Sequence, residues 1–265
     1  RDQEWGPKPA GVRRVIVVGD SFTEGWGVKE PDTYPRRLEA LLRAAEPGRW
    51  EVRNAGRRGA DFPALLAQFD EALRHQPDLV VYGMVPNDAE RSEAFQAGQA
   101  YMNDWILDQA RMTSGRPPRS GGVWRSRLLT LLADGWEGWR IDRASSRWYR
   151  EMYQAPNREG WERTQAHLRE IQRRAAAQGA DFLVLSWPLL VSLDRYPFAE
   201  GNEAVARFCR EAGLARHDLL PVLRTHRAEE LIVHPADRHP NEIAHRLAAE
   251  SLRDVVLKAG HRPSS

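Results

Sequence analysis

The chain has 265 residues, of which 42% are hydrophobic and 29% charged, enough apolar material for a sizeable core with an ordinary charge load. Its 39 basic residues oppose 37 acidic ones and are scattered among them, so pairs such as Arg57–Arg58 and Arg173–Arg174 read as solvated faces and no nucleic-acid partner is expected. No run approaches the roughly 20 apolar residues of a membrane span, which excludes an integral membrane segment in this chain, and a lone Cys209 excludes an internal disulfide and a multi-cysteine zinc site.

The chain starts at Arg1 rather than a methionine, which fits an excised or processed product. Where a leader or anchor has been removed, an extracytoplasmic or secreted place is expected. The first regular element is Val15–Val18, a β-branched run without alternation, as a strand buried on both faces requires. Turn-formers from Gly19 to Gly27 interrupt it. Tyr34, Leu38, Leu41, Leu42 and Ala45 then fall at steps of three and four, the stripe of a helix.

Trp50–Arg53 reads as a short second strand. Asp61 is placed to cap a helix with Pro63 in its first turn, and Phe62, Leu65, Leu66, Phe69 and Leu73 form its apolar stripe. Leu79–Tyr82 and Phe182–Leu185 are the third and fourth strands. Between them Trp161, Leu168, Ile171 and Ala175 mark a helix that Gly179 ends, and a last helix turns Ile243, Leu247, Leu252 and Val255 inward. Cys209, within Val205–Cys209, reads as a small core residue on a further helix. Alternating strands and helices predict a parallel α/β sheet, with ligands beyond the carboxyl ends of its strands.

Residues 90–160 break the alternation, since longer connections without their own structure are uncommon. The region around this stretch carries Trp105, Trp124, Trp136, Trp139, Trp148 and Trp161, a Gly/Pro/Arg-rich run from Ser114 to Gly122, and the apolar piece Leu128–Leu132. The expectation is one domain over 1–265 with a partly helical insertion, or lid, at about 90–160. Trp124 and Trp136 are expected to line a substrate cleft.

Four polar blocks stand at the ends of these elements. Gly19-Asp20-Ser21 follows the first strand, in a tight turn that exposes either a nucleophilic serine or an ordinary helix-capping one. Asn54-Ala55-Gly56 follows the second strand, and Gly83 through Asn87-Asp88 the third. A backbone N–H at Gly56 and the amide of Asn87 have the chemistry to donate to a developing oxyanion, while both residues also suit plain turns. Asp237-Arg238-His239-Pro240 precedes the last helix. An activated serine needs an imidazole base and a carboxylate that orients it, and this pair supplies both.

Together these blocks resemble, in order, the four signature blocks of the SGNH hydrolase superfamily, the GDSL-like lipases and esterases. The resemblance implies a flavodoxin-like three-layer α/β/α sandwich with a central parallel sheet. It implies Ser21 as nucleophile, His239 as base and Asp237 as its orienting acid. The oxyanion hole would be formed by the Ser21 and Gly56 N–H groups and the Asn87 side chain. It implies acyl transfer from carboxylic esters through an acyl-enzyme with no cofactor and no metal. The substrate is a small-molecule or carbohydrate ester, with short acyl chains such as O-acetyl groups expected. Two spacings depart from the pattern: three residues separate Gly83 from Asn87, and Asp237 lies two residues before His239, where Ala236 holds the usual acidic place. His234 is the fallback base. Two other readings stay open here: a metal site from His234, Asp237, His239 and His245, and a non-hydrolytic carbohydrate-binding or acyl-handling domain on the same fold.

Overall fold

A computed structural model describes residues 5–62, 64–99, 143–235 and 237–260. Its centre is a five-stranded parallel sheet built from β1 (Arg13–Gly19), β2 (Trp50–Asn54), β3 (Leu79–Met84), β4 (Asp181–Ser186) and β5 (Ala215–Asp218), in the order β2-β1-β3-β4-β5. That is the flavodoxin-like order. The chain leaves β1 for one edge and returns to β3 on the other side, so a crevice opens at the carboxyl ends of β1 and β3. Gly19 and Gly83 are register partners there.

Both sheet faces are covered, which explains the unbroken apolar runs. Val15, Val17, Leu79, Val81, Leu183 and Leu185 join one core with α2 (Tyr34–Ala45) and the last helix, α6 (Glu242–Gly260). On the alternate positions, Tyr82 and Phe182 meet Phe69 of α3 (Ala64–Arg74) edge-on at ring distances of 5.4 and 5.8 Å. Between β3 and β4 runs α4 (Arg158–Ala177), ended near the left-handed Gly179, and between β4 and β5 runs α5 (Ala199–Ala212). Cys209 lies in α5 at 1% exposure, and burial pushes its thiol up to about 11, so it is a packing residue.

Two sequence expectations need correction, and two elements were not expected. Ala45 ends α2 on its exposed side. Ile243 is 36% exposed, because the inward stripe of α6 runs through Ala244, Ala248, Leu252 and Val256, leaving Val255 half-buried beside it. The fifth strand was not anticipated: Ala-Arg-His-Asp carries no apolar pattern, and it pairs only with β4 at the sheet edge. A second, two-stranded antiparallel sheet of β6 (Ile232–His234) and β7 (Asp237–Pro240) was also unforeseen.

By its internal contacts the chain divides into two compact units, residues 1–90 with 163–265, and residues 91–162. The second unit has its own small aromatic core. Trp148 is 5% exposed and tilts against Phe95 at 6.1 Å, and Tyr153 meets Trp161 edge-on at 5.0 Å. These two tryptophans are therefore packing residues. Trp105, Trp124, Trp136, Trp139, the Ser114–Gly122 run and Leu128–Leu132 lie outside the described residues.

Candidate active site

Immediately after β1 the chain turns into a four-residue helix, α1 (Ser21–Glu24). Asp20 caps it, accepting from the Phe22 N–H at 2.9 Å, and Gly25 closes it in a left-handed conformation at φ 82°. Ser21 is the first helical residue, so its N–H has no intrahelical acceptor. The helix is pinned from below by Thr23, fully buried, whose hydroxyl hydrogen-bonds the Tyr34 hydroxyl at 2.8 Å.

Glycine spacing in the blocks follows from this pin. A methyl group on Gly19 or Gly83 would come within 2.3 and 2.4 Å of Thr23 Oγ1, and one on Gly56 within 2.3 Å of the Glu24 nitrogen. Three strand ends thus approach α1 closely enough that each must lack a side chain. The segment after β2 keeps pairing along β1, with Ala55 N–H donating to Val17 at 2.8 Å and Arg57 N–H to Gly19 at 2.9 Å. That pairing presses Gly56 against α1. The Gly56 N–H itself donates to Asn54 Oδ1 at 2.9 Å, and the Asn54 amide donates to the Thr23 carbonyl at 2.9 Å.

From the far end of the chain comes β7. In a strand, residues two apart share a face, so the short Asp237-x-His239 spacing brings both side chains to one side. The His239 ring N–H at Nδ1 donates to Asp237 Oδ1 at 2.5 Å, and the His239 backbone N–H donates to the same oxygen at 3.1 Å. The other ring nitrogen, Nε2, lies 2.9 Å from Ser21 Oγ and is placed to accept its proton. Asn241 secures this strand to α6: its Oδ1 caps the helix at Ile243 and Ala244, and its amide donates to the Glu230 and Ile232 carbonyls.

His234, the fallback base, is exposed on β6 opposite Asp237, and His245 is fully buried. His245 accepts from the Tyr34 N–H, and burial holds its imidazole down at about 3. Among the described residues no group of three or more His, Cys, Asp or Glu side chains is arranged to hold a metal ion. No helix there is long and apolar enough to cross a membrane.

Electrostatics divides the acids near Ser21. Burial alone would raise the Asp237 carboxyl, but hydrogen bonds from the His239 ring, the His239 backbone and Trp26 outweigh it and hold the group below its ordinary value. Asp20 behaves oppositely. Burial pushes it up to about 6, against the Phe22 N–H, the nearby His239 and the Ser21 hydroxyl at 3.5 Å. Asp88, deeper still, is raised well above the carboxylate range by burial and by Asp20, although the Tyr82 hydroxyl and the Val85 N–H both donate to it. One of its oxygens is buried with no hydrogen-bond partner among the described residues.

Asn87 stands in the turn after β3, exposed, its amide engaged by none of the described residues. Sequence reasoning passed over Trp26, whose indole N–H donates to Asp237 Oδ2 at 3.0 Å. Arg58, read from the sequence as part of a solvated face, places its guanidinium 4.2 Å from the centre of the Trp26 ring. An exposed tryptophan inside the Gly25-Trp26-Gly27 turn was the available signal. A cavity of about 980 Å³ lies behind the Asn54–Arg58 segment, lined among others by Arg53, Gln68 and His75 but by neither Ser21 nor His239.

A model of the GDSL-like lipase/acylhydrolase family matches residues 17–247. Among solved structures, TesA superposes with a TM-score of 0.56 at 17% identity, over 93% of this chain and 99% of its own. A catalytic mutant of Axe2, an acetylxylan esterase from Geobacillus stearothermophilus, gives 0.55 at 17% identity, over 94% and 96%. The psychrotrophic esterase EstA from a Pseudoalteromonas species gives 0.54 at 12% identity, over 94% and 100%. At these identities the likeness is one of fold. No curated protein sequence matches the chain.

Proposed function

Because the chain belongs to the GDSL-like lipase/acylhydrolase family and is a carboxylic ester hydrolase, we propose that it is a serine esterase working through an acyl-enzyme on Ser21. The observation that carries this reading is the unbroken line Ser21 Oγ, His239 Nε2, His239 Nδ1, Asp237 Oδ1, with contacts of 2.9 and 2.5 Å. Ser21 Oγ attacks the ester carbonyl carbon as its proton passes to Nε2. Asp237 steadies the imidazolium that results. The tetrahedral intermediate collapses when Nε2 returns the proton to the departing alkoxide, leaving an ester on Ser21. Water then repeats the sequence, giving up a proton to His239, and the carboxylic acid leaves.

The negative charge on the carbonyl oxygen requires fixed donors. Of the three expected donors, the Ser21 N–H and the Asn87 amide have no acceptor among the described residues. The Gly56 N–H takes part in this role only by sharing or releasing its bond to Asn54. Asn87→Ala is expected to lower kcat by roughly 10²–10³ with KM little changed, because such a donor acts on the transition state. Steady-state kinetics on a p-nitrophenyl ester measures this. A loss confined to KM would move Asn87 into substrate binding.

For substrate we propose short acyl groups, such as O-acetyl groups on carbohydrates, with residues 91–162 an insertion within one hydrolase domain. The Arg- and Trp-rich composition of that stretch supports a mixed polar and aromatic surface. Axe2, similar in fold, is an acetylxylan esterase. The test is a p-nitrophenyl series from acetyl to octanoyl, run with and without a sugar alcohol. Highest kcat/KM at acetyl, with free acid as product, is the expected result. A maximum at octanoyl would overturn the short-chain assignment, and acetylation of the sugar alcohol in preference to water would make the protein an acyltransferase.

A further inference from the structure

The segment Ser21–Trp26 touches the β7 pair at both of its ends. At one end the Ser21 hydroxyl meets His239 Nε2; at the other the Trp26 indole N–H meets the free oxygen of Asp237. Asp237 already gives Oδ1 to two donors on His239, its ring and its backbone N–H. Its side chain is about one-third exposed, so Oδ2 would otherwise face water and the carboxylate plane would be free to swing. Trp26 is itself held. Its backbone N–H donates to the Ser21 carbonyl at 3.0 Å, and Arg58 lies over its ring. Arg58 is anchored in turn on the buried Glu24 carboxylate, which accepts from the Arg58 backbone N–H at 2.6 Å and from its guanidinium at 3.1 and 3.3 Å.

Resting on the proposed Ser21–His239–Asp237 relay, we propose that Trp26 is a positioning residue for the acid of that relay, held in place by Arg58 stacked on its ring. The indole fixes the second carboxylate oxygen from the same short segment that carries the nucleophile. The distance between nucleophile and acid is therefore set by one rigid piece of chain rather than by two independent loops. This gives Oδ2 a donor in an Asp-x-His pair whose own contacts, the ring and backbone N–H of His239, both fall on Oδ1. Trp26, 39% exposed, contributes little to the core, so its replacement tests positioning rather than folding.

The experiment is a double-mutant cycle of Trp26→Phe and Asp237→Ala, with Ser21→Ala as reference, read as kcat and KM on p-nitrophenyl acetate. Phe keeps an aromatic face for Arg58 to stack on and removes the indole N–H. A hydrogen bond to a charged group supports an expected drop of about tenfold in kcat with KM unchanged. In the Asp237→Ala background the same change should cost less than about twofold, because its target is gone. Arg58→Met should give a smaller loss in kcat that disappears in Trp26→Phe. An equal loss with and without Asp237, a loss confined to KM, or an unchanged kcat would each overturn the proposal. If Ser21→Ala stays active, the relay itself is wrong; if it is inactive while Trp26→Phe is silent, only the role of Trp26 falls.

Discussion

Ser21→Ala should lower ester turnover by many powers of ten, on the order of 10⁴ or more, and leave folding intact. The loss is large because the proposed covalent step has no second nucleophile. Among the described residues the Ser21 hydroxyl meets His239 and, weakly at 3.5 Å, Asp20. Folding should survive because the side chain is half-buried and small, while the helix that bears it is held by other groups: the Asp20 cap and the buried Thr23–Tyr34 contact. Thermal melting within a few degrees of the parent, together with activity below a few per cent, is the expected pair of results. Residual activity above that level would show that Ser21 is not the nucleophile. Mass spectrometry after a brief pulse of p-nitrophenyl acetate should find the acetyl group on Ser21 in the parent and none in the variant.

His239→Ala should fall nearly as far as Ser21→Ala, and the double variant little further, since the two act as a unit. Asp237→Ala should be milder, because an imidazole without its acid still accepts a proton part of the time. His234→Ala is the control. It is exposed on β6, while the imidazole at hydrogen-bonding distance from Ser21 is that of His239. Near-parental kinetics are expected for it. The opposite ranking, with His234 essential and His239 dispensable, would move the base to β6 and overturn the assignment. These five variants measured on one acetyl ester under one set of conditions are sufficient.

Much of this protein was legible along the chain because burial leaves a local trace. Val15–Val18, Leu79–Tyr82 and Phe182–Leu185 are apolar on both sides of the pleat, and that pattern alone implies a sheet covered on both faces. Three of the polar blocks follow strand ends, where a parallel sheet presents its ligand-binding edge, so Ser21 and Asn87 could be singled out by position and type, and the Asp237–His239 pair by its carboxylate beside an imidazole ahead of the last helix. A parallel α/β fold and the order of its first four strands in sequence needed no more than this.

The tertiary structure decided the rest, for one physical reason: the deciding contacts join residues far apart in sequence that carry no shared local pattern. β5 is a polar edge strand recognisable only by its pairing with β4. Asp237 and His239 meet at a spacing of two because the segment is a strand that pairs with β6. Only in space is it seen that the missing side chain of Gly56 lets the strand end approach α1 and that its N–H donates to Asn54. Trp26 lies 211 residues from Asp237 in the chain, and no composition or periodicity relates them. The sequence by itself determined which residues have the chemistry and which elements are buried; only the packed chain determined which of them meet, because distance is set by closure of the sheet and not by any property of the residues taken singly.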